Sequence, residues 1–329
     1  MGKNLMKKLL CSISTKGRYE TTLPLAIQAV INQTRKVDKL VIFDDNDPPK
    51  DMREVQLYQY LFEIMNLKGI EWEWVYAKRM GQHHNHQMAN QRGYEWVWRV
   101  DDDCMPDITV LETLLSYADH DVGGVGGAIL TPPFAPVTGA TGLIEDIDRE
   151  QNIQWDYINE VREIDHLHCS FIYRAGICDY NLSLSKAAFR EETLFTYSLR
   201  QRGYKMLVVP NAITWHLKNK EGGVRTEAKE MFDHDDYIFK NFLGLKDNTI
   251  VVLDSGMGDH IVFKSILAEI KNPVIYSCYP DIVPGGSIQD AINLFGNIDQ
   301  YNIYKKMDQW NWKGSLQNAF RKLYIGDKI

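Results

Sequence analysis

The sequence predicts an α/β fold in which a mostly parallel sheet carries helices on both faces. One observation is that short apolar segments alternate with longer amphipathic segments between residues 9 and 100. Strands that alternate with helices in this way form parallel sheets. A second observation is that the apolar segments end in polar or acidic residues. The third is that a chain of 329 residues with 44% hydrophobic residues can bury a full core.

The first half of the chain repeats a strand and helix pattern. Leu9–Ser14 and Lys39–Phe43 are short apolar runs, and the amphipathic stretch Thr22–Gln33 lies between them. The pattern continues with a helix over 52–67, a strand over 71–76, a helix over 82–91 and a strand over 96–100. Ligands of such sheets bind beyond the carboxyl ends of the strands. The residues that follow each strand are therefore the first candidates for function.

The chain after residue 100 is less regular. A helix is predicted over 108–117, and no element is assigned to the Gly/Pro-rich stretch 123–142. A strand over 166–173, a helix over 191–202 and a strand over 206–209 follow. Pro210 is expected to close the last strand, because proline cannot donate a hydrogen bond to a sheet.

The cysteine pattern and the N-terminus limit the class of protein. The five cysteines are scattered and form no Cys-x-x-Cys pair, which favours neither a zinc framework nor a disulfide scaffold. The N-terminus is basic and then apolar, but its apolar run ends at Ser12 without a cleavage site, and no stretch reaches the roughly 18 apolar residues of a spanning helix. We expect a cytoplasmic location.

Three carboxylates, Asp101, Asp102 and Asp103, follow the strand over 96–100. Residues 101–180 contain 16 Asp/Glu and 3 Lys/Arg, so the net charge of −7 arises mainly there. Because side chains alternate along a strand, Asp101 and Asp103 are expected to share a face. Two hard oxygen ligands suit Mg²⁺ or Mn²⁺, with a diphosphate completing the shell. The alternative is an acidic turn that caps the following helix.

These aspartates, the acidic turn Phe43-Asp44-Asp45 and the late pair Trp215-His216 together resemble glycosyltransferase family 2. The resemblance covers about residues 8–226 and implies a GT-A-like fold. It also implies that Asp101 and Asp103 bind ribose and metal, with Asp102 beside them on the donor, and that Asp44 or Asp45 contacts the nucleotide base. Thr15 and Arg18 match the nucleotide-binding loop of the family less specifically.

The segment Arg190-Glu191-Glu192-Thr193, followed by Arg200 to Tyr204, is similar to the acidic motif of the same family. The resemblance implies that one glutamate is the general base, which takes the proton of the acceptor hydroxyl. Glu192 is favoured and Glu191 is second. The alternative is that both only stabilise the start of a helix through its dipole.

Histidines supply further candidates. By family position His216 is a third metal ligand, although a lone histidine beside a tryptophan is often structural. His83, His84 and His86 point in different directions on a helix and cannot bind one ion. Asn85 or His86 contacts the donor diphosphate, or belongs to an ordinary polar helix face. His166 and His168 line the acceptor cleft or simply pack, and Arg225 is a candidate phosphate ligand.

The function implied by the resemblance is inverting transfer of a hexose or pentose from a nucleotide-diphosphate sugar, with UDP favoured and Mn²⁺ or Mg²⁺ assisting. The acceptor is a hydroxyl of a glycan, a lipid-linked sugar, a protein or a hydroxymethylated base in phage DNA. A sugar-1-phosphate nucleotidyltransferase is an alternative, although Ser14-Thr-Lys-Gly-Arg18 is only a faint version of its glycine-rich loop. A non-catalytic nucleotide-sugar or glycan-binding module, which would not need Glu192, is another.

A domain boundary is expected between residues 245 and 246, so that residues 1–245 form the transferase domain and 246–329 a small α/β module. The module begins with the apolar strand Thr249–Leu253, the turn Gly256-x-Gly258 and a helix over 260–270. These resemble the opening of a Rossmann-like lobe of heptosyltransferase-type GT-B enzymes. Residue 261 is Ile where the dinucleotide fingerprint has its third glycine. Packing or homo-oligomer formation is favoured over a second active site.

Overall fold

The computed structural model describes residues 8–132, 135–139, 160–242, 249–253, 273–277 and 301–303. The chain divides into two compact units. The first comprises residues 1–146 and 152–239, and the second comprises residues 147–151 and 240–329. The assignment of 246–329 as a separate domain stays a prediction.

The first unit is built on a ten-stranded mixed sheet. Its strands are β1 (Leu9–Thr15), β2 (Lys39–Asp44), β3 (Glu71–Tyr76), β4 (Trp96–Val100), β5 (Cys104–Pro106), β6 (Val122–Thr131), β7 (Ala135–Gly139), β8 (Arg162–Ile164), β9 (Ser170–Arg174) and β10 (Lys205–His216). The order is β3-β2-β1-β4-β9-β6-β10-β5, with β7 beside β6 and β8 beside β10. The first four strands of the chain are parallel, whereas β9 runs antiparallel to both of its neighbours. The α/β class is confirmed, and the sheet is more mixed than predicted.

Helices cover both faces of this sheet, as predicted. They are α1 (Leu23–Ile31), α2 (Gln56–Lys68), α3 (Gln82–Asn90), α4 (Val110–Ser116), α5 (Glu191–Gln201) and α6 (Lys229–Phe242). Leu9, Cys11 and Ile13 of β1 pack in one core cluster with α1, α2 and α4, whereas Leu10 packs in a second cluster with residues of α3 and α5. All seven residues of β1 are buried, so both faces of the strand are covered.

Strands β6 and β10 differ from the prediction. β6 crosses the Gly/Pro-rich stretch that was given no element, and β10 continues past Pro210 to His216. The two strands are parallel neighbours, and their register shifts between Val209 and Ile213, so Pro210 lies in an irregularity that spares it a ladder hydrogen bond. A Cβ atom on Gly127 would lie 1.8 Å from the Ala212 carbonyl oxygen. Glycine therefore allows the two backbones to approach.

The second unit contains a three-stranded parallel sheet with the order β11 (Thr249–Leu253), β12 (Pro273–Ser277) and β13 (Tyr301–Ile303). The predicted strand over 249–253 is confirmed. The Gly256-x-Gly258 turn and the helix over 260–270 lie outside the described residues, so the resemblance to a GT-B lobe stays a prediction. Among the helices described, none has the length and apolar character needed to cross a membrane.

Candidate functional site

A cavity of about 420 Å³ lies beyond the carboxyl ends of β1 and β4. Its walls come from the loop after β1, the turn after β4, the start of α5 and the segment that follows β10. The edge of the sheet where strand ends meet therefore carries the site, as the fold class predicts. Of the predicted site residues, it is lined by Thr15, Arg18, Asp45, Asp101, Asp102, Asp103, Glu191, Glu192 and His216.

The acidic turn does not continue β4. The strand ends at Val100, and residues 101–103 form a turn, so strand alternation does not govern their directions. Asp102 and Asp103 both contact Arg18, whose Nη1 lies 3.0 Å from Asp103 Oδ2 and closer still to Asp102. Asp101 instead accepts a hydrogen bond from Arg99 at 3.0 Å. The expectation that Asp101 and Asp103 share a face is wrong. Asp103 contacts Arg18 together with its neighbour Asp102, whereas Asp101 contacts Arg99.

Asp102 is a buried carboxylate of the turn. Thr15 Oγ1 donates a hydrogen bond of 2.7 Å to its Oδ2, and only 5% of the residue is exposed. Burial raises the pKa of Asp102 to about 6, and Arg18 offsets only part of that effect. The ionised Asp102 carboxylate therefore lowers the stability of the protein at neutral pH, and a bound cation nearby would reduce this loss.

A second arginine, Arg99, holds three carboxylates together. Its guanidinium is fully buried within β4, and Nη1 lies 2.5 Å from Glu191 Oε1. Nη2 lies 3.0 Å from both Glu192 Oε2 and Asp101 Oδ1. The start of α5 and the acidic turn are thereby fixed to one point, which places the two predicted general-base candidates beside the predicted metal ligand Asp101.

The two glutamates differ in access. Glu191 is 1% exposed and accepts a hydrogen bond from Gln82, whereas the Glu192 side chain is 23% exposed and lines the cavity while accepting from the backbone N–H of Cys169 at 3.1 Å. Burial raises the pKa of both carboxyls, and the Arg99 charge offsets part of the rise. Glu192 is thus the glutamate with more access to a ligand, and its proton affinity is increased.

His216 ends β10 next to the acidic turn. Its Nε2 lies 3.3 Å from Asp103 Oδ1, and its Nδ1 lies 3.6 Å from Cys169 Sγ. Burial lowers the pKa of His216, but the Cys169 sulfur and the Asp103 carboxylate more than offset this and raise it. An imidazole nitrogen and a carboxylate oxygen that face each other suit Mn²⁺ or Mg²⁺ completed by phosphate oxygens. The pair Asp103 and His216 therefore fits the cation that was predicted.

Asp101 belongs to a different group of possible ligands. Within the described part of the chain, the group of three ligand atoms that lie within 4.8 Å of one another is Asp101, Cys104 and Cys169. The predicted trio of Asp101, Asp103 and His216 does not form such a group there. The aspartates of the turn are divided because Arg99 and Arg18 draw them to different sides.

The two aspartates of the acidic turn after β2 have different surroundings. Asp44 is fully buried, and its carboxylate accepts hydrogen bonds from Tyr19, Trp74 and Asn46. Asp45 lines the cavity and accepts from Arg79 and from the backbone N–H groups of residues 80 and 81. Only Asp45 of this pair reaches the cavity, and Asp44 holds the surrounding loop.

The histidine-rich helix α3 faces the sheet. Asn85 and His86 are almost completely buried, Asn85 donates to Ser14 Oγ at 2.7 Å, and His86 Nδ1 lies 3.1 Å from Ser12 Oγ. Neither residue lines the cavity, so their position supports β1. His166 and His168 do line it, although they precede β9 and are not part of a strand. Arg225 lies in a 3₁₀ turn, Val224–Thr226, and its side chain lies outside what the structure describes.

The segment 217–227 returns over the loop after β1. The backbone N–H of Gly223 donates to the Lys16 carbonyl at 2.8 Å, and Arg18 donates to the carbonyls of Asn219 and Glu221. Gly222 packs against the same loop, where a Cβ atom would lie 2.5 Å from the Lys16 carbonyl oxygen. This segment, named here the covering segment, closes one side of the cavity.

The Glu227 carboxylate lies at the end of the covering segment. It pairs with Lys16 and with Arg79, and all three residues line the cavity. Two cationic groups therefore contact the same oxygen of one internal carboxylate. Such groups are suited to bind phosphate oxygens when the carboxylate is displaced.

The comparisons with known proteins agree with this geometry. The family model described as Glycosyl transferase family 2 matches residues 12–179, about half of the chain. The chain belongs to this family. A galactofuranosyltransferase of Mycolicibacterium smegmatis, GlfT1, is 36% identical over 118 residues, which are 34% of this chain and 35% of that protein. The match thus spans about a third of that relative.

Two solved structures resemble this chain, and the second has the TM-score that supports a shared fold. The S. aureus TarS 1–349 structure in complex with UDP gives a TM-score of 0.47 and 14% identity, covering 63% of this chain and 60% of that one. The structure of GalNAc-T7 with UDP, GalNAc and Mn²⁺ has a TM-score of 0.55 and 12% identity, and the match covers 99% of this chain and 59% of that one. The GT-A fold is therefore confirmed for this member of the family.

Sequence reasoning missed the cations that organise the site. Arg99, Arg79 and the anion Glu227 carry much of its electrostatics, and none was predicted. A signal existed for Arg99, because a charged residue inside the otherwise apolar run Trp96–Val100 must find buried carboxylates. Glu227 had no comparable signal, since it follows the described glycines in a polar stretch.

Proposed function

We propose that this chain is a metal-assisted, inverting glycosyltransferase that moves a sugar from a nucleotide-diphosphate sugar, with UDP favoured, to an acceptor hydroxyl. The observation that carries the proposal is the position of Glu192. It lies at the cavity wall, tied through Arg99 to Asp101 of the acidic turn. The proposed general base therefore lies next to the acidic turn, where we expect the anionic donor to bind, in one cavity.

The donor diphosphate occupies the side of the cavity formed by the acidic turn and the loop after β1. Lys16, Arg18 and Arg79 supply positive charge there, and Asp45 lies at the far wall where a base ring would reach. Asp103 and His216 would hold the divalent cation, which neutralises charge on the departing diphosphate. GalNAc-T7, which has the same fold, binds UDP, GalNAc and Mn²⁺ in its solved structure, and a donor and a cation of those kinds are the ones proposed here.

Glu192 acts as general base in this mechanism. Its carboxylate takes the proton of the acceptor hydroxyl as that oxygen attacks the anomeric carbon opposite the leaving diphosphate, which inverts the anomeric configuration. The Cys169 N–H and Arg99 hold Glu192 Oε2 in place, while the raised pKa makes the carboxylate a stronger base. Glu191 contacts the same arginine, Arg99, and is more deeply buried than Glu192. It orients the Arg99 guanidinium.

The acceptor enters beside His166, His168 and Lys186, which line the cavity near the start of α5. A glycan, a lipid-linked sugar, a protein or a hydroxymethylated DNA base each presents a hydroxyl of the required kind. A cytoplasmic location and homo-oligomer formation through residues 246–329 remain predictions from the sequence.

Donor hydrolysis and transfer test the proposal directly. The protein is incubated with a panel of UDP-, GDP- and TDP-sugars and Mn²⁺, and release of the nucleoside diphosphate is measured with and without simple sugar acceptors. We expect release from one donor class, with the anomeric configuration of the product inverted by NMR. No release from any donor, or a retained configuration, would contradict the proposed reaction.

The metal requirement is tested by calorimetry with the nucleoside diphosphate that this panel selects. Binding in Mn²⁺ is expected to be much tighter than in EDTA, because the carboxylates at this end of the cavity outnumber the two arginines that pair with them and the remaining negative charge repels the diphosphate. Asp103→Asn should remove most of the difference between the two buffers, whereas Asp107→Asn, outside the cavity, should not. Equal affinity in both buffers for the unmodified protein would remove the metal from the mechanism.

A further inference from the structure

A thiol pair lies directly beneath the acidic turn, and the proposed mechanism does not use it. Cys104 begins β5 and is fully buried, and Cys169 precedes β9 and reaches the cavity wall. Both are free cysteines. With the Asp101 carboxylate, their ligand atoms lie within 4.8 Å of one another.

His216 lies outside this group in the structure but is close to one of its members. His216 Nδ1 lies 3.6 Å from Cys169 Sγ. In a tetrahedral site with Zn–S of about 2.3 Å and Zn–N of about 2.0 Å, the distance between sulfur and nitrogen is also about 3.6 Å. His216 pairs with Cys104 across the antiparallel strands β5 and β10, so the register of the sheet brings these ligands together.

The backbone of Cys169 is held in a strained conformation. Its φ is +60°, in the left-handed region that residues other than glycine rarely adopt. The N–H of Cys169 donates to Glu192 Oε2, and its carbonyl accepts from the Asp101 N–H at 3.0 Å. Strain of this kind costs about 1–3 kcal/mol and persists where the surroundings fix the residue. Here it fixes the Cys169 sulfur beside the ligand atoms of Asp101 and Cys104.

We propose that Asp101, Cys104, Cys169 and His216 form a second cation site, which takes Zn²⁺ or a similarly soft divalent ion. Two sulfur ligands select a soft cation, whereas the oxygen-rich pair of Asp103 with a diphosphate selects Mn²⁺ or Mg²⁺. As the two zinc–sulfur bonds form, both thiol protons leave to solvent. The cavity gives the ion an entry path past Cys169.

Occupancy of this site has a consequence that rests on the proposed function. Because His216 lies outside the group of three ligand atoms, its imidazole must move toward the thiols to bind Zn²⁺ through Nδ1, and this movement takes Nε2 away from Asp103. Zn²⁺ bound there also takes Asp101 from the acidic turn. Transfer activity in Mn²⁺ is therefore expected to fall as Zn²⁺ is added. Zinc binding itself does not require that the chain be a transferase, so the two ideas are separable.

Cobalt spectroscopy tests the site. Co²⁺ is added to the full chain, stripped of metal and kept reduced with a phosphine. We expect sulfur-to-cobalt charge-transfer absorption in the near ultraviolet, which Zn²⁺ removes. Cys178→Ser changes a half-buried thiol near the Phe195 carbonyl and should leave the absorption intact. Cys169→Ser should abolish it and weaken Zn²⁺ binding by more than the roughly 10- to 100-fold that loss of an outer-shell partner costs.

Absence of the absorption from the unmodified chain, or its survival in Cys169→Ser, would overturn the proposal. A measurement on the unmodified chain avoids any failure of that variant to fold. Zn²⁺ at ten times its dissociation constant should slow alkylation of Cys169 about tenfold while Cys178 reacts at an unchanged rate, as peptide mass spectrometry can show. Equal alkylation of Cys169 with and without Zn²⁺ would also refute the site. Zinc binding without loss of transfer activity would refute only the competition.

Discussion

Replacement of Glu192 by Gln separates chemistry from binding. Glu192 Oε2 accepts a hydrogen bond from the Cys169 N–H and forms an ion pair with Arg99, and an amide oxygen can keep contact with both groups. The change therefore keeps the shape of the wall and removes the charge and the ability to take a proton. Arg99 keeps Asp101 and Glu191 as partners. Stability should fall by only about 1 kcal/mol, less than when the sole partner of a buried charge is lost.

The expected loss of transfer is much larger. General-base catalysis contributes about 10²- to 10⁴-fold, so the activation free energy should rise by about 3–5 kcal/mol while donor affinity changes little. Steady-state rates and calorimetry with the donor nucleotide measure the two quantities separately. Unmodified protein should also lose kcat as the pH falls through the raised pKa of Glu192, because protonation removes the base form.

Glu191→Gln is the matched control. Glu191 lies on the same arginine but is almost fully buried, so its replacement should disturb the position of Arg99 and cost stability rather than remove the base. If Glu192→Gln keeps more than about a tenth of the transfer rate while Glu191→Gln abolishes it, the assignment is reversed. If both variants transfer sugar at nearly the original rate, the general-base mechanism itself is wrong.

Three further predictions concern charge and packing. Glu227→Gln should strengthen diphosphate binding by about two- to tenfold in calorimetry because it frees two cationic side chains, whereas Glu230→Gln on exposed α6 should have no effect. Burial raises the pKa of Asp102 from 3.8 to about 6, so its charge costs stability above that range and the cost disappears as the pH falls below about 4. Asp102→Asn should thus raise the unfolding free energy of the metal-free protein by about 1–3 kcal/mol near neutral pH and by much less at about pH 4. An equal gain in unfolding free energy at both pH values would exclude titration of Asp102 as the cause. Gly127→Ala should lower the unfolding free energy in denaturant by about 3 kcal/mol or more, because the added Cβ meets a carbonyl of β10. Gly176 has open space around it and a positive φ, so Gly176→Ala should lower it by only about 1–2 kcal/mol. Equal losses in the two variants would contradict the packing argument.

Local pattern predicted the parallel half of the sheet and not the other half. Strands β1, β2 and β4 are buried on both faces, whereas β3 is a half-buried edge strand. All four alternate with helices, so apolar runs and helical spacing locate them. Strand β6 contains four glycines within Gly123–Gly127, a composition that local propensity assigns to a loop. Only the close approach of β10 explains why glycine is required there, and that contact is visible in three dimensions alone.

The candidate site shows the same limit. Carboxylates at strand ends and at the start of α5 could be found from position in the sequence, since a buried strand or a helix start identifies them. The directions of the aspartate side chains could not be predicted, because residues 101–103 lie beyond the strand and their carboxylates pair with Arg99 and Arg18. Asn85 and His86 match a polar helix start, yet α3 turns them toward β1. Which face of a helix meets the ligand depends on packing between elements far apart in the chain.

The covering segment also determines when the site is completed during synthesis. Arg18 neutralises the acidic turn, and one of its donors pairs with the Asn219 carbonyl, 201 residues later in the chain. At about 5–20 residues per second, a ribosome needs roughly 10–40 s to make that stretch. During this interval Arg18 and the acidic turn can meet, but the carbonyls that hold the guanidinium in place have not yet emerged. The cavity therefore acquires this wall only after residue 219 has been made, and a nascent chain arrested before that residue would carry the aspartates without the segment that encloses them.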